Sequence, residues 1–210
     1  MELTALLERV PPNGLFRTGQ ILAGERAPAH VRRQLDRWVK GGRVLRLRRG
    51  VYLLAPPYAR TTAHPFAIAG ALQRASCVSL HSALAYHGMI PEHVPVTTSV
   101  SAGRPEELST PRGRFQFRHL DPRHLFGFAE VEVARDQRVL LAGPEKALVD
   151  LLYLTPYCDR VPFLRELRLA PADALDPAKL HAAVTRTGSR KVARAVRLLL
   201  RLWRDEEAWP

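Results

Sequence analysis

Cysteine is almost absent from the chain. Cys77 and Cys158 stand far apart and alone, which gives neither a disulfide framework nor a zinc site. Both read as buried thiols of a protein kept in a reducing cytoplasm. Long apolar runs are missing too: none approaches the ~20 residues that a membrane-crossing helix needs. The opening residues, MELTALLERV, lack the basic start and apolar core of a signal peptide. There is no glycine-rich loop to cradle phosphates, so no cofactor is expected. Lysine is scarce beside arginine, a bias that says more about genome composition than about mechanism. Acid is in short supply, with 20 Asp and Glu against 32 Lys and Arg and a formal net charge of +12. That excess favours a polyanionic partner over a membrane, because no stretch joins the charge to an inserting apolar face. Internal repeats and low-complexity tracts are absent. The remainder is ordinary: 210 residues at 46% hydrophobic content are too apolar for disorder and suffice for one large domain or two small ones.

The charge is concentrated. Arg26 to Arg49 holds nine Lys and Arg against the single acid Asp36, so this segment carries most of the net charge. Charge confined to one structural unit says more than a high isoelectric point. Its core is PAHVRRQLDRWVKGGRVLRLRRGVYLL at 28 to 54. Val31, Leu35, Trp38 and Val39 fall on one helical stripe, and His30, Arg32, Arg33, Gln34, Arg37 and Lys40 lie off it. Pro28 suits a first turn, since it has no N–H to leave unpaired, and Gly41-Gly42 suits a left-handed cap. The period then drops to two. Val44, Leu45 and Leu47 interleave with Arg43, Arg46 and Arg48, Arg49-Gly50 turns, and Val51 to Leu54 returns as a second strand.

A basic helix followed by a basic-tipped hairpin is the outline of a winged helix-turn-helix. The helix would enter the major groove of double-stranded DNA, and the wing would meet the phosphates. On this reading Arg33, Arg37, His30 and Gln34 face base edges, while Arg46, Arg48 and Arg49 sit at the hairpin tip on the phosphates.

The chain in order supports two domains. Residues 2 to 10 read as a first helix through Leu3, Leu6, Leu7 and Val10, and PPNG at 11 to 14 stops it. Thr18 is a candidate N-cap for a second short helix, with Gly24 to Ala27 as the turn into the basic helix. Residues 1–56 thus form a winged-helix DNA-binding module. Residues 57–64, part of the stretch APPYARTT at 55 to 62, read as a linker. Residues 65–210 read as a mixed α/β domain. It has a helix opening at Pro65, a short strand at 77 to 80 and a helix closed by Gly88. Strands follow at 94 to 101, 114 to 120, 129 to 134 and 137 to 142, with AGRPEELSTPRG at 102 to 113 as a turn-rich loop. A strong helix starts at Pro144 and ends at Pro156, and the rest is helical. The last helix, from about Ser189 to Trp203, buries Val192, Ala195, Val196, Leu199, Leu202 and Trp203. It shows a basic edge of Arg190, Lys191, Arg194, Arg197, Arg201 and Arg204. Arg190, Arg194, Arg197 and Arg201 are the candidate partner-binding residues. The fold class expected is therefore α/β (α+β), with a helical C-terminal part.

Chemistry has few footholds. Ser79, His81, Ser82 and His87 cluster near Cys77, but no glycine-rich elbow or third orienting group accompanies them. His81 and His87 are six apart, so they do not share a helical face as metal ligands. Glu145, Lys146 and Asp150 share one helix, where Glu145 complements the dipole and Lys146 and Asp150 pair at i, i+4. A nuclease centre would need an acid on one strand and an acid-x-Lys on the next. Glu130 and Glu132 lie on a strand without a following lysine. No catalytic residue and no metal ligand is expected.

Three stretches carry a family resemblance: RVLRLRRGVYLL at 43 to 54, CVSLHSALAYHGMIP at 77 to 91, and AGPEKALVDLLYL at 142 to 154. Their "RGVY", Ser-x-x-Ser-Ala-Leu-x-x-x-Gly and Glu-Lys-Ala-Leu-x-Asp elements, in this order and spacing, resemble AbiEi-type antitoxins of type IV toxin–antitoxin systems. The resemblance implies a non-enzymatic, DNA-binding repressor of its own promoter. Its C-terminal domain would neutralise a nucleotidyltransferase-like toxin encoded alongside, in a system serving phage defence. Two alternatives stay open: a stand-alone winged-helix transcriptional regulator with no antitoxin role, and a DNA-binding nuclease.

Overall fold

A computed structural model describes residues 2–23, 27–91, 94–170 and 174–207. The chain is a mixed α/β protein. Its first part runs α1 (Leu3–Arg9), β1 (Leu15–Arg17), α2 (Thr18–Leu22), α3 (Pro28–Lys40), β2 (Val44–Arg48) and β3 (Val51–Leu54). The strands form a three-stranded antiparallel sheet in the order β1-β3-β2. Helix α3 starts at Pro28 and stops where Gly42 takes a φ of +69°, letting Arg43 N–H bond back to the Trp38 carbonyl. Gly50, at φ +82°, makes the hairpin turn. Two readings need correcting. Thr18 is the first residue of α2 and not its cap: Arg17 holds the cap position, and its N–H donates to Gln20 Oε1 at 2.7 Å. Strand β1 was not expected, because three residues are too few to show a period. Of the turn expected at Gly24 to Ala27, all but Ala27 lies outside the described residues.

The second part is built on a six-stranded sheet in the order β6-β7-β5-β4-β9-β8. The strands are β4 (Cys77–Val78), β5 (Val96–Ser101), β6 (Glu106–Thr110), β7 (Gly113–His119), β8 (Phe128–Ala134) and β9 (Gln137–Ala142). Helices α4 (Pro65–Leu72), α5 (Leu80–Tyr86) and α6 (Pro144–Leu154) accompany it, and α7 (Val161–Glu166), α8 (Pro177–Thr187) and α9 (Arg190–Glu207) complete the chain. The turn-rich loop expected at 102 to 113 holds strand β6, paired antiparallel with β7 from Glu106–Phe117 to Thr110–Gly113. Its composition of Gly, Pro, Ser and Glu hides a half-exposed edge strand that only its neighbour stabilises. Among the described residues no helix is long and apolar enough to cross a membrane.

The two parts share a core. In the small sheet Phe16, Tyr52 and Arg46 are in register, as are Arg17, Val51 and Arg48. Successive residues of a strand face opposite ways. Phe16, Val44, Tyr52 and Leu54 therefore pack on Leu6, Ile21, Val31, Leu35 and Trp38 of the helices. Leu47, Val51 and Leu53 pack the other way, against Ile68, Ala69 and Leu72 of α4 and Phe115 and Phe117 of β7. All four residues of β3 are buried as a result. The stretch 57–64 has no regular structure, as expected of a linker, but it is pinned. Arg60 and Thr61 N–H both bond the Pro12 carbonyl, Gln137 holds Thr62 and His64, and Ala63 is buried.

At the centre of the second part, α6 is buried from Glu145 to Leu152. Lys146 and Asp150 pair at i, i+4, as the spacing predicts, but inside the protein, where Ser79 Oγ donates to Asp150 Oδ2 at 2.7 Å. Burial pulls the Lys146 ammonium below its ordinary pKa and pushes the Asp150 carboxyl up, while each partner's charge opposes the other's shift. Phe126 and Phe128 lie beside the ammonium, with the Phe126 centroid 4.5 Å away. Glu145 accepts the Asp176 N–H ahead of α8, and Lys191 of α9 donates to the carbonyls of Tyr153 and Thr155 at the end of α6.

Two outcomes follow. Because β3 belongs to both cores, calorimetry of the intact chain should give one cooperative transition with equal calorimetric and van't Hoff enthalpies; two separable transitions would show independent domains. Lys146→Met should cost about 3–5 kcal/mol by stranding a buried carboxylate, while pairing it with Asp150→Leu should restore most of the loss. A double variant no more stable than the single one in urea unfolding would refute that account.

Candidate nucleic-acid interface

Helix α3 turns Val31, Leu35 and Trp38 inward and leaves its opposite face open. His30, Arg33, Arg37 and Lys40, at i, i+3, i+7 and i+10, run along one exposed ridge, and Arg32 lies on the next beside Asp36. Gln34 is half-buried on the flank and accepts a 3.4 Å bond from Arg37. After the helix, Arg43, Arg46 and Arg49 are exposed. Among the described residues, His30, Arg32, Arg33, Lys40, Arg43, Arg46 and Arg49 make no side-chain hydrogen bond or ion pair. A row of cations with no internal partner is available to a polyanion.

Arg48 departs from this. It was expected on the phosphates with Arg46 and Arg49. Instead it donates to the Leu72 carbonyl at 3.1 Å and to Glu106 Oε2 at 2.9 Å, docking the hairpin on α4 and β6. The cause is a register shift between Arg46 and Arg48, which puts Arg46 opposite Tyr52 and Arg48 opposite Val51. Strict alternation would keep both arginines on one face; the extra residue sends them to opposite faces. Arg17, absent from the expected set, works with Arg48. It donates to the carbonyl of Ala71, so the two guanidiniums together satisfy the C-terminal end of α4. Partial burial and the charges of Arg74 and Arg48 hold the Arg17 pKa below its usual value. The register Arg17–Val51–Arg48 is the signal that finds it, and that needs the sheet.

The basic edge of α9 divides. Arg194 pairs with Asp159 at 2.9 Å, and Lys191 caps α6, so these two are committed to the fold. Arg190 and Arg197, one turn either side of Arg194 on the same helical stripe, border an apolar groove between α8 and α9, and Arg201 is exposed.

Elsewhere the structure brings Ser79, 71 residues away in sequence from Asp150, onto the Lys146–Asp150 pair. All three are buried, and the Ser79 hydroxyl has no exposed surface. Cys77 lies near the same pair, and burial pushes its thiol up to about 11. At the elbow between β4 and α5, Leu80 adopts φ +58°, a conformation costing on the order of 1–3 kcal/mol. It is held by Thr98, whose hydroxyl donates to the Ser79 carbonyl and accepts from Ser82 N–H. This arrangement binds strand, elbow and helix together. Glu130 lies 3.7 Å from Arg138, with no lysine beside it. Among the described residues no group of three or more His, Cys, Asp or Glu side chains is placed to hold a metal ion.

Neither a scan against models of known protein families nor a search of curated proteins returns a match.

The ridge and the hairpin should separate by experiment. Arg33→Ala should cost ~1–3 kcal/mol against a preferred DNA sequence and relax base preference at one position. A uniform loss across sequences would make Arg33 a phosphate contact. Replacing Arg46 and Arg49 by Ala should lower the salt slope of binding by about two units without changing base preference, while Arg48→Ala should instead lower thermal stability. An unchanged slope would remove the hairpin from the interface.

Proposed function

We propose that the chain is a DNA-binding antitoxin of a toxin–antitoxin (abortive infection) system. The α1–β3 unit serves as a winged helix-turn-helix that represses its own promoter, with α3 in the major groove and Arg46 and Arg49 on the phosphates. Residues 65–210 neutralise a nucleotidyltransferase-like toxin, and the protein binds rather than catalyses. What supports the DNA half is one observation: exposed cations, all but Arg37 without an internal partner among the described residues, line one helix ridge and positions Arg43, Arg46 and Arg49 of the adjoining hairpin. The antitoxin half rests on the resemblance of the stretches at 43 to 54, 77 to 91 and 142 to 154 to AbiEi-type antitoxins.

A second reading, a stand-alone transcriptional regulator, draws on the docking of the hairpin onto α4 and β6 through Arg17 and Arg48. In that case the second part serves to hold and orient the DNA-binding unit.

Cutting the chain near residue 62 would expose Leu53, Ile68 and Phe117 to water, so the test keeps the chain whole. Full-length protein carrying Arg33→Ala and Arg37→Ala should lose about tenfold or more in promoter binding. Co-expressed from an independent promoter with the adjacent toxin, it should still restore growth. A folded, repression-dead chain that fails to restore growth would leave the regulator as the better account.

A further inference from the structure

We propose that the groove between α8 and α9 is a docking site for an acidic amphipathic helix of a protein partner. The proposal rests on the reading of residues 65–210 as protein-binding, and not on the DNA reading. Helices α8 and α9 are joined by a tight turn in which Gly188 takes φ +62°, so they form a helical hairpin. Between them lies a groove of about 480 Å³, lined by Leu180, Val184, Ala193, Val196, Leu200 and Trp203. Leu200 is 38% exposed there, although it belongs to a helix whose remaining apolar residues are mostly buried. Two packed helices leave a trough into which a third can lay an apolar stripe, with anchors at i, i+3, i+4 and i+7.

Charge selects the occupant. Among the described residues, the side chains around the groove include Arg190, Arg197 and His181 and no carboxylate. Arg201, one turn beyond Arg197, is exposed. Arg194, on the same stripe of α9, is committed to Asp159, and Lys191 to the end of α6. Arg190 and Arg197, which border the apolar floor, have no acidic partner among the described residues. A helix with glutamate or aspartate flanking its apolar stripe satisfies both features, and a lysine-flanked helix would be repelled. A phosphate backbone could use the arginines at the edge but would leave the floor of Leu180, Val184, Val196 and Leu200 uncovered, so it suits the site less well. The occupant is thus a protein segment whose acid lies toward α9.

The experiment uses the intact chain and two labelled helical peptides with the same leucine stripe, one flanked by glutamates and one by lysines. Fluorescence anisotropy should show the acidic peptide binding in a salt-sensitive way, with the basic peptide at least about tenfold weaker. Leu200→Glu should abolish binding while leaving the melting temperature unchanged, since Leu200 is already part-exposed. Arg190→Glu with Arg197→Glu should reverse the preference toward the basic peptide. Arg194→Ala, which removes a cation already paired with Asp159 and outside the groove lining, should leave it unaltered. Equal binding of both peptides, or acidic-peptide binding that survives Leu200→Glu, overturns the proposal. Self-association of the chain that Leu200→Glu removes would assign the groove to a second copy and overturn it likewise. Growth rescue is read separately. A Leu200→Glu chain that still rescues growth, with no peptide bound by the parent protein, removes the groove and leaves the antitoxin reading standing.

Discussion

Strand β3 is buried on both faces, and the arrangement of the whole chain follows from that. A strand at the centre of a three-stranded sheet has its backbone satisfied on either side. Here its side chains are also consumed in both directions, with Tyr52 and Leu54 among the helices and Val51 and Leu53 against α4 and β7. Fully burying residues of this size contributes ~1.5–3 kcal/mol each. The interface between the parts is therefore comparable to a core and unlike a loose domain contact. The sheet fixes α3 through Val44 and Trp38, and the second part fixes the sheet. Whatever binds one part meets a surface whose orientation the other part has set.

The same guanidinium group serves opposite ends in this chain, and its surroundings decide which. Arg17 and Arg48 reach the last carbonyls of α4, where the backbone has acceptors with no helical donor and the helix end carries partial negative charge. Their charges are used internally, at the cost to Arg17 of some desolvation and of repulsion from Arg48 and Arg74. Arg33, Arg46 and Arg49 differ only in facing solvent with no acceptor in reach. Net charge alone does not distinguish the two populations. Formal positive charge on a basic hairpin overstates its capacity for DNA by every arginine that the fold has already claimed.

That distinction marks where sequence reading succeeded and where it stopped. The α3 helix was legible because Val31, Leu35 and Trp38 recur at helical spacing and glycines follow. The hairpin was legible because Arg49-Gly50 separates two short β-type runs. Strand β6 was not, since Glu106 to Thr110 carries no apolar alternation of its own and forms only because β7 lies beside it. The bulge that redirects Arg48 was invisible for a related reason. Where one residue is inserted into a ladder depends on the partner strand, and a period-two pattern assumes that none is. Lys146 and Asp150 were matched correctly by spacing, yet their burial was not foreseen. Nothing near them in the chain announces that Ser79 and the aromatic rings of Phe126 and Phe128 will enclose them.

Of the three stretches that carry the antitoxin resemblance, the second and third meet each other, and the first packs elsewhere, on α4 and β7. Val51 and Leu53 of the first belong to the core shared by the two parts. The second and third are tied by the bond from Ser79 to Asp150 and by His87 Nε2, which lies 2.8 Å from the Ala142 carbonyl. In this chain the three stretches are thus largely ones that hold the architecture: a buried hairpin strand, a strained elbow with its serine, and a helix with an internal ion pair. Removing one member of such a set leaves a buried polar group stranded, which costs more than the set contributes when intact. Residues of this kind are held in place together or lost together, and a pattern built from them identifies a fold before it identifies an activity. The surfaces that would distinguish one such protein from another lie elsewhere, on the α3 ridge and along the groove of α8 and α9. There a substitution alters exposed side chains and leaves the core untouched.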